Sequence, residues 1–294
     1  MTEPAGPSAQ VHDWARVRLP DAWPDRVAWW HPRQWPRLWR KINGRQREPV
    51  RLPDALPGAH RLPRYLLLEF HNLPNGNYSH GVTRGYARGF DHAMLGSLRG
   101  GRHRVADALR GARRALDLGS GAGHLAGAMQ RAGIGEVWGL EPSPYLLTLA
   151  AQAHPQVVWR QGVGEDSGLP DAWFDAVGIC FVLHEVPPAY LRRLLAELRR
   201  ITTPGATVAI LEPSPLQWRQ DAWRMWKSHG WRGAYFRLLA RRVHEPFADA
   251  WHKLDAAALL AEHGFAVEQD EIGCPFRFIV ARRRDASPTE TPQT

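Results

Sequence analysis

Residues 115–123 read Ala-Leu-Asp-Leu-Gly-Ser-Gly-Ala-Gly. An apolar run ends at Asp117, Gly119, Gly121 and Gly123 follow at alternate positions, and an apolar helical pattern comes next. This order is typical of a buried parallel strand, a tight turn and the start of a helix. Glycines allow a sharp turn and a close approach of the backbone to a ligand, and free amides at the helix start favour an anionic group. The segment therefore predicts a site for a nucleotide-like cofactor.

A second acidic residue helps to choose the cofactor. Glu141 ends another apolar run, 22 positions after Gly119, where it would meet ribose hydroxyls. That spacing suits NAD as well, but the glycine pattern is G-x-G-x-G and not the G-x-G-x-x-G of dinucleotide sites. Asp117 at the strand end suits an ammonium group and would repel a pyrophosphate. S-adenosylmethionine (SAM) carries an ammonium, a carboxylate and a ribose, so the pattern favours SAM over NAD, FAD or a turn without a ligand.

Strand and helix patterns alternate five times along the middle of the chain. The predicted strands end near residues 118, 141, 160, 181 and 212, and residues 188–201 carry leucines at helical spacing. Such alternation predicts an α/β protein with a doubly wound sheet, whose ligands bind at the carboxyl ends of the strands.

Taken together, these segments resemble the class I SAM-dependent methyltransferases, and more narrowly the ubiquinone- and menaquinone-biosynthesis type (methyltransferase type 11). The resemblance covers about a third of the chain and rests on residues 116–123, 139–147, 165–170, 174–187 and 204–212. It implies SAM as cofactor and a Rossmann-like seven-stranded sheet whose last strand is antiparallel. The sixth and seventh strands would then lie at 263–265 and 273–282, joined by a tight turn.

The resemblance also implies roles for individual residues. The glycines of residues 119–123 would line the methionine part of SAM, Asp117 would anchor its amino end, and Glu141 would hold both ribose hydroxyls. Family members often carry an Asp where Val163 or Glu165 stands, and we assign the adenine end to Glu165. The predicted cofactor-binding residues are Asp117, Gly119, Ser120, Gly121, Gly123, Glu141, Gly164, Glu165 and Phe181.

Catalysis requires little beyond alignment, because the sulfonium carries its own leaving group. A base is needed only when the acceptor must lose a proton. In such folds the residues after the fourth strand lie closest to the methyl group. His184 is therefore the first predicted catalytic residue, because histidine titrates near neutral pH, and Glu185 is the second. The alternative that His184 only hydrogen-bonds a backbone group at the strand end stays open.

A polar cluster precedes the core and resembles a segment that lies over the cofactor in some family members. We predict that His71, Asn75 and Tyr78 face the substrate from this segment. Residues 75–77 read Asn-Gly-Asn, which is also an ordinary turn signal, so a simple turn is the competing interpretation.

The flanks of the core differ from it in composition. Residues 115–212 hold six Lys or Arg against ten Asp or Glu, although the whole chain of 294 residues has a formal charge of +9. The basic excess lies in residues 1–64 and 216–253, which also hold 11 of the 14 tryptophans, Trp29 and Trp30 among them. We divide the chain into a basic Trp-rich extension (1–64), a lid or helical cap (65–112), the SAM-binding domain (113–285) with a substrate-cap insertion after the fifth strand (213–253), and a disordered tail (286–294).

Three roles compete for the basic Trp-rich flanks. They would cap a hydrophobic or partly anionic substrate pocket, rest on an anionic lipid surface, or bind RNA by phosphate contacts and stacking. A bias of codon usage toward arginine would explain part of the basicity. Prolines at 32 and 36 break the first flank, and Gly230 and Gly233 weaken a continuous helix in the second. We therefore favour the capping role, with peripheral membrane contact as the alternative.

Other features exclude several classes of protein. No apolar run approaches the length of a membrane span, and the first residues lack the pattern of a signal peptide. The two cysteines, Cys180 and Cys274, make neither a disulfide framework nor a metal site, so we expect no metal and a cytoplasmic enzyme.

The sequence thus predicts a SAM-dependent methyltransferase that acts on a small organic acceptor, hydrophobic or partly anionic. An RNA methyltransferase is the rival, disfavoured because the fourth strand ends in Leu-His-Glu-Val-Pro and not in the Asn/Asp-Pro-Pro-Tyr/Phe type of motif. A SAM-binding protein without catalysis is the third alternative. The oligomeric state is left open.

Overall fold

The structure is a computed structural model and describes residues 13–27, 35–44 and 46–284. A seven-stranded sheet runs through it in the order β3-β2-β1-β4-β5-β7-β6. The strands are β1 (Arg114–Leu118), β2 (Glu136–Glu141), β3 (Val158–Gln161), β4 (Phe174–Cys180), β5 (Thr202–Pro213), β6 (Phe265–Ile272) and β7 (Phe276–Arg283). Only β7 is antiparallel to its neighbours. The predicted α/β fold, with an antiparallel last strand, is confirmed.

Ten α-helices are defined in the described part of the chain. Those before the sheet and within its first half are α1 (Trp35–Ile42), α2 (His80–Ala93), α3 (Ser97–Ala108), α4 (His124–Arg131), α5 (Pro144–Ala153) and α6 (Pro188–Ile201). Those after β5 are α7 (Leu216–Arg219), α8 (Ala222–Arg242), α9 (Ala248–Lys253) and α10 (Ala256–Glu262). No helix of the described residues is long and apolar enough to cross a membrane.

Two apolar cores cover the two faces of the sheet. Successive residues of a strand point to opposite faces, so Ala115 and Leu116 enter different cores. The Leu116 core contains the leucines of α6 and α10, and the Ala115 core contains apolar residues of α3, α4 and α5. Burial on both faces explains the continuous apolar runs that marked these strands in the sequence.

The last two strands differ from their predicted bounds. β6 begins only at Phe265, because Gly264 has a φ of +81° and forms the turn after α10. The strand then continues to Ile272 along the edge of the sheet, where most of its side chains are exposed or half-buried. An edge strand with charged residues lacks the apolar signal by which strands are recognised.

Residues 213–253 contain α7, α8 and α9, inserted between β5 and the last helix of the domain. α8 runs through both predicted weak points but is kinked at Gly230, which has a φ of +64°. The prediction of a weakened helix is thus correct at Gly230 only. Trp29, Trp30 and the tail 286–294 lie outside the described residues, so the expectations for them stay untested.

A buried ion pair attaches the N-terminal extension to the lid. The Lys41 Nζ of α1 lies 2.7 Å from Glu69 Oε1, and both side chains are almost fully buried. The Glu69 carboxylate also accepts hydrogen bonds from the amides of Asn75 and Glu48. Three donors thus meet one desolvated acid, which requires α1 and the loop 65–79 to keep their places. Lys41 has a second acidic partner, Glu48, at 3.6 Å.

We predict that Lys41→Met lowers the free energy of unfolding by about 3–5 kcal/mol, because it leaves the Glu69 carboxylate buried and without its cation. The double variant Lys41→Met/Glu69→Leu should lose less, since it removes the stranded charge as well. Urea denaturation of the three proteins measures both values. A single variant as stable as the wild type would show that the pair does not hold the extension.

Candidate active site

A cavity opens at the carboxyl ends of β1, β2 and β4, where the sequence predicts the cofactor. Its walls include Asp117, the turn Gly119–Ala122, Glu141 and Phe181. Loop residues before α2 and the helix itself close it from above, among them Leu66, Leu68, Gly76, Asn77, Tyr78 and Tyr86. We call this space the cofactor cavity.

The glycine turn has different requirements at each position. A Cβ atom at Gly119 would come within 2.5 Å of Val182 Cγ2, so only glycine fits there. Gly121 has a φ of +53°, and a Cβ built on it would meet no atom within 4 Å. That empty space belongs to the cavity, where a ligand would approach the backbone closely. Gly123 is the N-cap of α4 and packs toward Trp159; it does not line the cavity.

Glu141 holds the turn and faces the cavity at once. Its two carboxylate oxygens accept hydrogen bonds from the amides of Gly121 (2.9 Å) and Ser143 (3.0 Å). Burial raises the pKa of Glu141 to about 7, against the effect of these two amides. A carboxylate so placed can still accept hydroxyl groups of a ribose, because each oxygen has a further lone pair.

Asp117 lies deeper in the same cavity. Its Oδ2 accepts a hydrogen bond from the amide of Ala126 at 2.8 Å, and burial raises its pKa to about 7. Beside it, the hydroxyl of Ser120 is buried and has no hydrogen-bond partner among the described residues. A bound cation would favour the ionised form of both carboxylates, and a polar ligand would satisfy Ser120. The open space at Gly121, the unpartnered hydroxyl of Ser120 and the two carboxylates therefore fit SAM.

The opposite end of the cavity is formed by Gly162, Val163 and Gly164. Glu165 does not line it; both of its carboxylate oxygens accept the hydroxyl of Tyr65 at 3.0 Å. Burial raises the pKa of Glu165, and Tyr65 itself lines the cavity. The assignment of Glu165 to the adenine end stays a prediction, and any contact would require its carboxylate to leave Tyr65.

The predicted substrate residues lie in three different places. Tyr78 lines the cofactor cavity, and His71 lines a second cavity. Asn75 is fully buried and lines neither: its side chain accepts from Trp23 Nε1 and the amide of Arg51 and donates to the carbonyl of Tyr78. The turn interpretation therefore describes the contacts of Asn75.

The second cavity is more apolar and lies beneath α8. Phe236, Leu239, Ala240 and Val243 contribute its α8 side, while Leu73, Gly89, Ala93, Met94, Pro213 and Trp218 contribute the rest of its apolar wall. Three aromatic residues, Tyr86, Phe90 and Phe181, line both this cavity and the cofactor cavity. These rings lie where the two cavities adjoin. We call the second cavity the acceptor cavity.

A chain of alternating acids and histidines runs beside the three rings. Glu212 Oε2 lies 2.6 Å from His184 Nδ1, and His184 Nε2 lies 3.7 Å from Glu245 Oε1. Glu245 Oε1 is 3.6 Å from His71 Nε2, which is 3.2 Å from Glu185 Oε1. Glu185 belongs to the wall of the cofactor cavity and Glu245 to that of the acceptor cavity, so the chain joins the two.

Both histidines of this chain are held in the protonated form at neutral pH. Burial alone would lower the pKa of His71, but the carboxylates of Glu185 and Glu245 outweigh it and raise the value to about 9. The same conflict holds at His184, where Glu212 and Glu245 raise the pKa well above its usual range. A protonated imidazole is a hydrogen-bond donor, so neither is a free base at pH 7.

His184 therefore differs from the expectation drawn from the sequence. It is fully buried and lines neither cavity, and its partner is the Glu212 carboxylate, not the backbone group of the alternative interpretation. Glu185, the second predicted catalytic residue, is the one that faces the cofactor cavity. A catalytic role for either residue stays a prediction.

Sequence reasoning missed Glu245, Tyr86 and Phe90 altogether, and it gave Glu212 no role. Glu245 lies in the irregular segment between α8 and α9, where no motif marks it. Glu212 carried a recognisable signal, because an acid that ends a buried strand must find donors nearby. It accepts the amides of Val182 and Leu183 and thereby shapes the turn after β4.

Parallel strands with a glycine turn at their carboxyl ends are typical of enzymes that bind a nucleotide-like cofactor. Residues 116–210 match a family described as methyltransferase domain. Residues 116–210, about a third of the chain, thus form a methyltransferase domain, and the predicted resemblance to the SAM-dependent methyltransferases is confirmed for this segment. That family implies SAM as the cofactor.

The similar proteins are distant. An uncharacterized methyltransferase of Synechocystis sp. is 32% identical over 111 residues, which is 38% of this chain and 50% of that protein. The 2-phytyl-1,4-naphtoquinone methyltransferase of Synechococcus elongatus is 34% identical over 107 residues, 34% of this chain and 45% of that protein. The matches thus span half or less of these relatives. A SAM-dependent methyltransferase structure from Mesorhizobium loti covers 60% of this chain and 92% of its own at 22% identity, with a TM-score of 0.44.

We predict that Gly121→Ala abolishes SAM binding in calorimetry while the protein stays folded, because the new methyl group enters the empty cradle. Gly111→Ala is the matched control: it also has a positive φ and open space around its Cβ position, but it lies outside the cavity. Each change should cost about 1–2 kcal/mol of stability through backbone strain. Equal SAM affinity of the two variants would contradict the placement of the cofactor.

SAM affinity should also fall on acidification. Asp117 and Glu141 have pKa values of about 7, so protonation below that pH removes the charges that attract the cationic ligand. For each carboxylate that must be ionised, the Kd rises about tenfold from pH 8 to pH 6. The ligand's own amino group gains charge over this range and opposes the change by no more than about threefold.

Asp117→Asn is the control for this pH profile, since it keeps an oxygen for the Ala126 amide and removes one titrating group. Its Kd should be higher than that of the wild type at pH 8 and should change less between pH 8 and pH 6. Isothermal titration calorimetry measures both proteins. If the Kd for SAM changed equally in both proteins between pH 8 and pH 6, the protonation of Asp117 would not be coupled to SAM binding.

Proposed function

We propose that this protein transfers a methyl group from SAM, held in the cofactor cavity, to a small, largely apolar acceptor held in the acceptor cavity. The observation that carries this proposal is the shared wall of Tyr86, Phe90 and Phe181 between the two spaces. Because the same rings border both spaces, ligands in the two cavities lie next to each other, and the transfer requires these side chains to leave an opening between them. In-line transfer needs little more than this alignment.

Backbone strain supports the assignment of this boundary. His71 and Phe181 both have positive φ angles, +55° and +61°, which bulky residues rarely adopt. Strain of this kind persists where surrounding contacts enforce it, and it is concentrated at functional sites. Here it directs the two side chains into the wall of the acceptor cavity.

The chemistry of the walls selects the acceptor. Apolar side chains dominate the acceptor cavity, and its ionisable members are the cation of His71 and the carboxylate of Glu245. A planar or aromatic acceptor with one hydroxyl, enol or similar acidic group matches that combination, because His71 stabilises the anion formed when the group loses its proton. Two relatives act, by their names, on quinone-type molecules, a 2-phytyl-1,4-naphtoquinone and a demethylmenaquinone. Both names describe planar, largely apolar quinones, and it is the reduced hydroquinone form of such a molecule that carries the hydroxyl group.

The acid and histidine side chains beside the two cavities have separate roles in the transfer. SAM, when bound, supplies an electrophilic methyl group on its sulfonium. Glu185 receives the acceptor's proton at its carboxylate, in contact with the cofactor cavity on one side and His71 on the other. His71 donates to the developing oxyanion or to Glu185. His184 acts as a positioning residue, since its pairs with Glu212 and Glu245 keep the latter ionised and in place. The aromatic wall excludes water from the path.

The test is a panel of hydroquinones, naphthols and catechols with SAM labelled in the methyl group. We expect labelled product from at least one class, and Glu185→Gln should lower kcat about 10²-fold with an unchanged SAM Kd. Glu271→Gln, an exposed acid on β6, is the control and should keep full turnover. A wild-type protein that binds SAM and methylates no member of the panel would favour the SAM-binding protein without catalysis.

A further inference from the structure

The insertion helix α8 has two faces of different character. Its inner face is formed by residues such as Met225 and Phe236, which are almost fully buried, and Phe236 also lines the acceptor cavity. On its outer face Trp223, Trp226, Trp231 and Leu238 are 60%, 48%, 63% and 63% exposed. Large apolar side chains at this exposure are a feature of surfaces that contact another phase or molecule.

Most of these exposed residues lie on two helices. Of the eight large apolar side chains that are exposed in the described part of the chain, seven lie on α1 and α8. The two helices meet at their carboxyl ends, where Arg242 donates a hydrogen bond to the side chain of Asn43 at 3.0 Å. Scattered exposed hydrophobes are normal for a protein surface, whereas this clustering is not.

The helix α8 carries an excess of positive charge. Its 21 residues include six cations, Arg224, Lys227, Arg232, Arg237, Arg241 and Arg242, and no Asp or Glu. Arg224 lies 3.7 Å from Asp221, just outside the helix, and the other five have no carboxylate partner within the described residues. Four of those five donate instead to backbone carbonyls or to the Asn43 amide oxygen, which leaves their charge uncompensated.

We propose that the outer face of α8 docks on an anionic lipid bilayer, with its tryptophans at the level of the headgroups. Tryptophan prefers this interface because its ring is both apolar and polar. Lys227, whose Nζ lies 5.2 Å from the centre of the Trp223 ring, is beside these tryptophans, and further cations of the helix are exposed. Such cations attract anionic lipids, each by an amount that adds to the apolar burial. The kink at Gly230 divides the helix into two short segments that can both lie along a surface.

The position of this outer face connects docking with access to the acceptor cavity. This connection rests on the proposed function. The helix that meets the bilayer also forms one wall of the acceptor cavity, through Phe236, Leu239 and Ala240. An acceptor dissolved in the bilayer would thus reach the cavity along α8 without crossing water. The inference concerns lipid-soluble acceptors, and it explains why the cavity wall is so apolar.

Flotation with phospholipid vesicles tests the docking directly, because it needs neither an acceptor nor turnover. The wild type should bind vesicles of phosphatidylcholine and phosphatidylglycerol at least about tenfold more tightly than vesicles of phosphatidylcholine alone, and added salt should weaken the binding. Quenching of tryptophan fluorescence by brominated acyl chains should accompany it. Absence of vesicle binding, or tighter binding to a single-stranded RNA oligonucleotide than to anionic vesicles, would overturn the proposal.

Two sets of variants separate the apolar and the ionic contributions. The triple change Trp223→Ala/Trp226→Ala/Trp231→Ala should lower vesicle affinity at least about tenfold at all salt concentrations. The triple change Lys227→Gln/Arg232→Gln/Arg241→Gln should lower it chiefly at low salt. Wild-type affinity in either variant would overturn the assignment of α8.

Matched controls lie elsewhere on the surface. Ile272→Ala removes an exposed apolar side chain from β6, and Arg110→Gln/Arg113→Gln removes two exposed cations near the amino end of β1. Both should bind vesicles as the wild type does. SAM calorimetry confirms that each variant is folded. The two proposals are separable, because vesicle binding can be lost while SAM binding and methyl transfer persist, and methyl transfer can be absent while vesicle binding persists.

Discussion

Three parallel strands of this sheet end in buried carboxylates, and the whole site depends on how these acids are satisfied. A carboxylate out of water must find donors or become neutral. Asp117 of β1 accepts the amide of Ala126, Glu141 of β2 accepts those of Gly121 and Ser143, and Glu212 of β5 accepts those of the turn after β4. Asp117 thus fixes the first turn of α4, whereas Glu141 and Glu212 fix the backbone of turns that form the cavity wall.

The same constraint creates the two kinds of acid in the site. Asp117 and Glu141 accept hydrogen bonds from backbone amides, and burial raises the pKa of each to about 7, although Arg102 opposes this at Asp117. Glu245 is also largely buried, but the imidazolium groups of His184 and His71 hold its pKa well below its usual range. The first pair is thus poised to gain from a cationic ligand, whereas Glu245 already has its cations. The cofactor cavity and the acceptor cavity differ for this reason, although they share a wall.

The glycine turn and the strand order could be predicted because their signals are local. The glycines of residues 117–123 indicate the turn, and unbroken apolar runs indicate the buried strands. Two contacts of predicted site residues could not be read from the sequence. The side chain of Asn75 accepts hydrogen bonds from Trp23 and Arg51, which are distant in sequence, and donates to the nearby carbonyl of Tyr78. The carboxylate of Glu165 accepts a hydrogen bond from Tyr65, a hundred positions earlier. No local pattern encodes such partners.

The acceptor side of the site lies beyond local patterns for the same reason. It is assembled from His71 of the loop before α2, Phe181 after β4, and Phe236 and Glu245 of residues 213–253, so the first and the last of them are 174 positions apart in the chain. The long-range contacts that bring them together, such as the amide of His71 bonded to the carbonyl of His244, are made by backbone groups of ordinary residues. Both Trp-rich flanks contribute to this region: α8 packs its inner side on the acceptor cavity, and Lys41 of α1 is paired with Glu69 of the loop before α2. The other side of α8 exposes tryptophans, so one helix meets two requirements, and packing within the domain accounts for the inner side only.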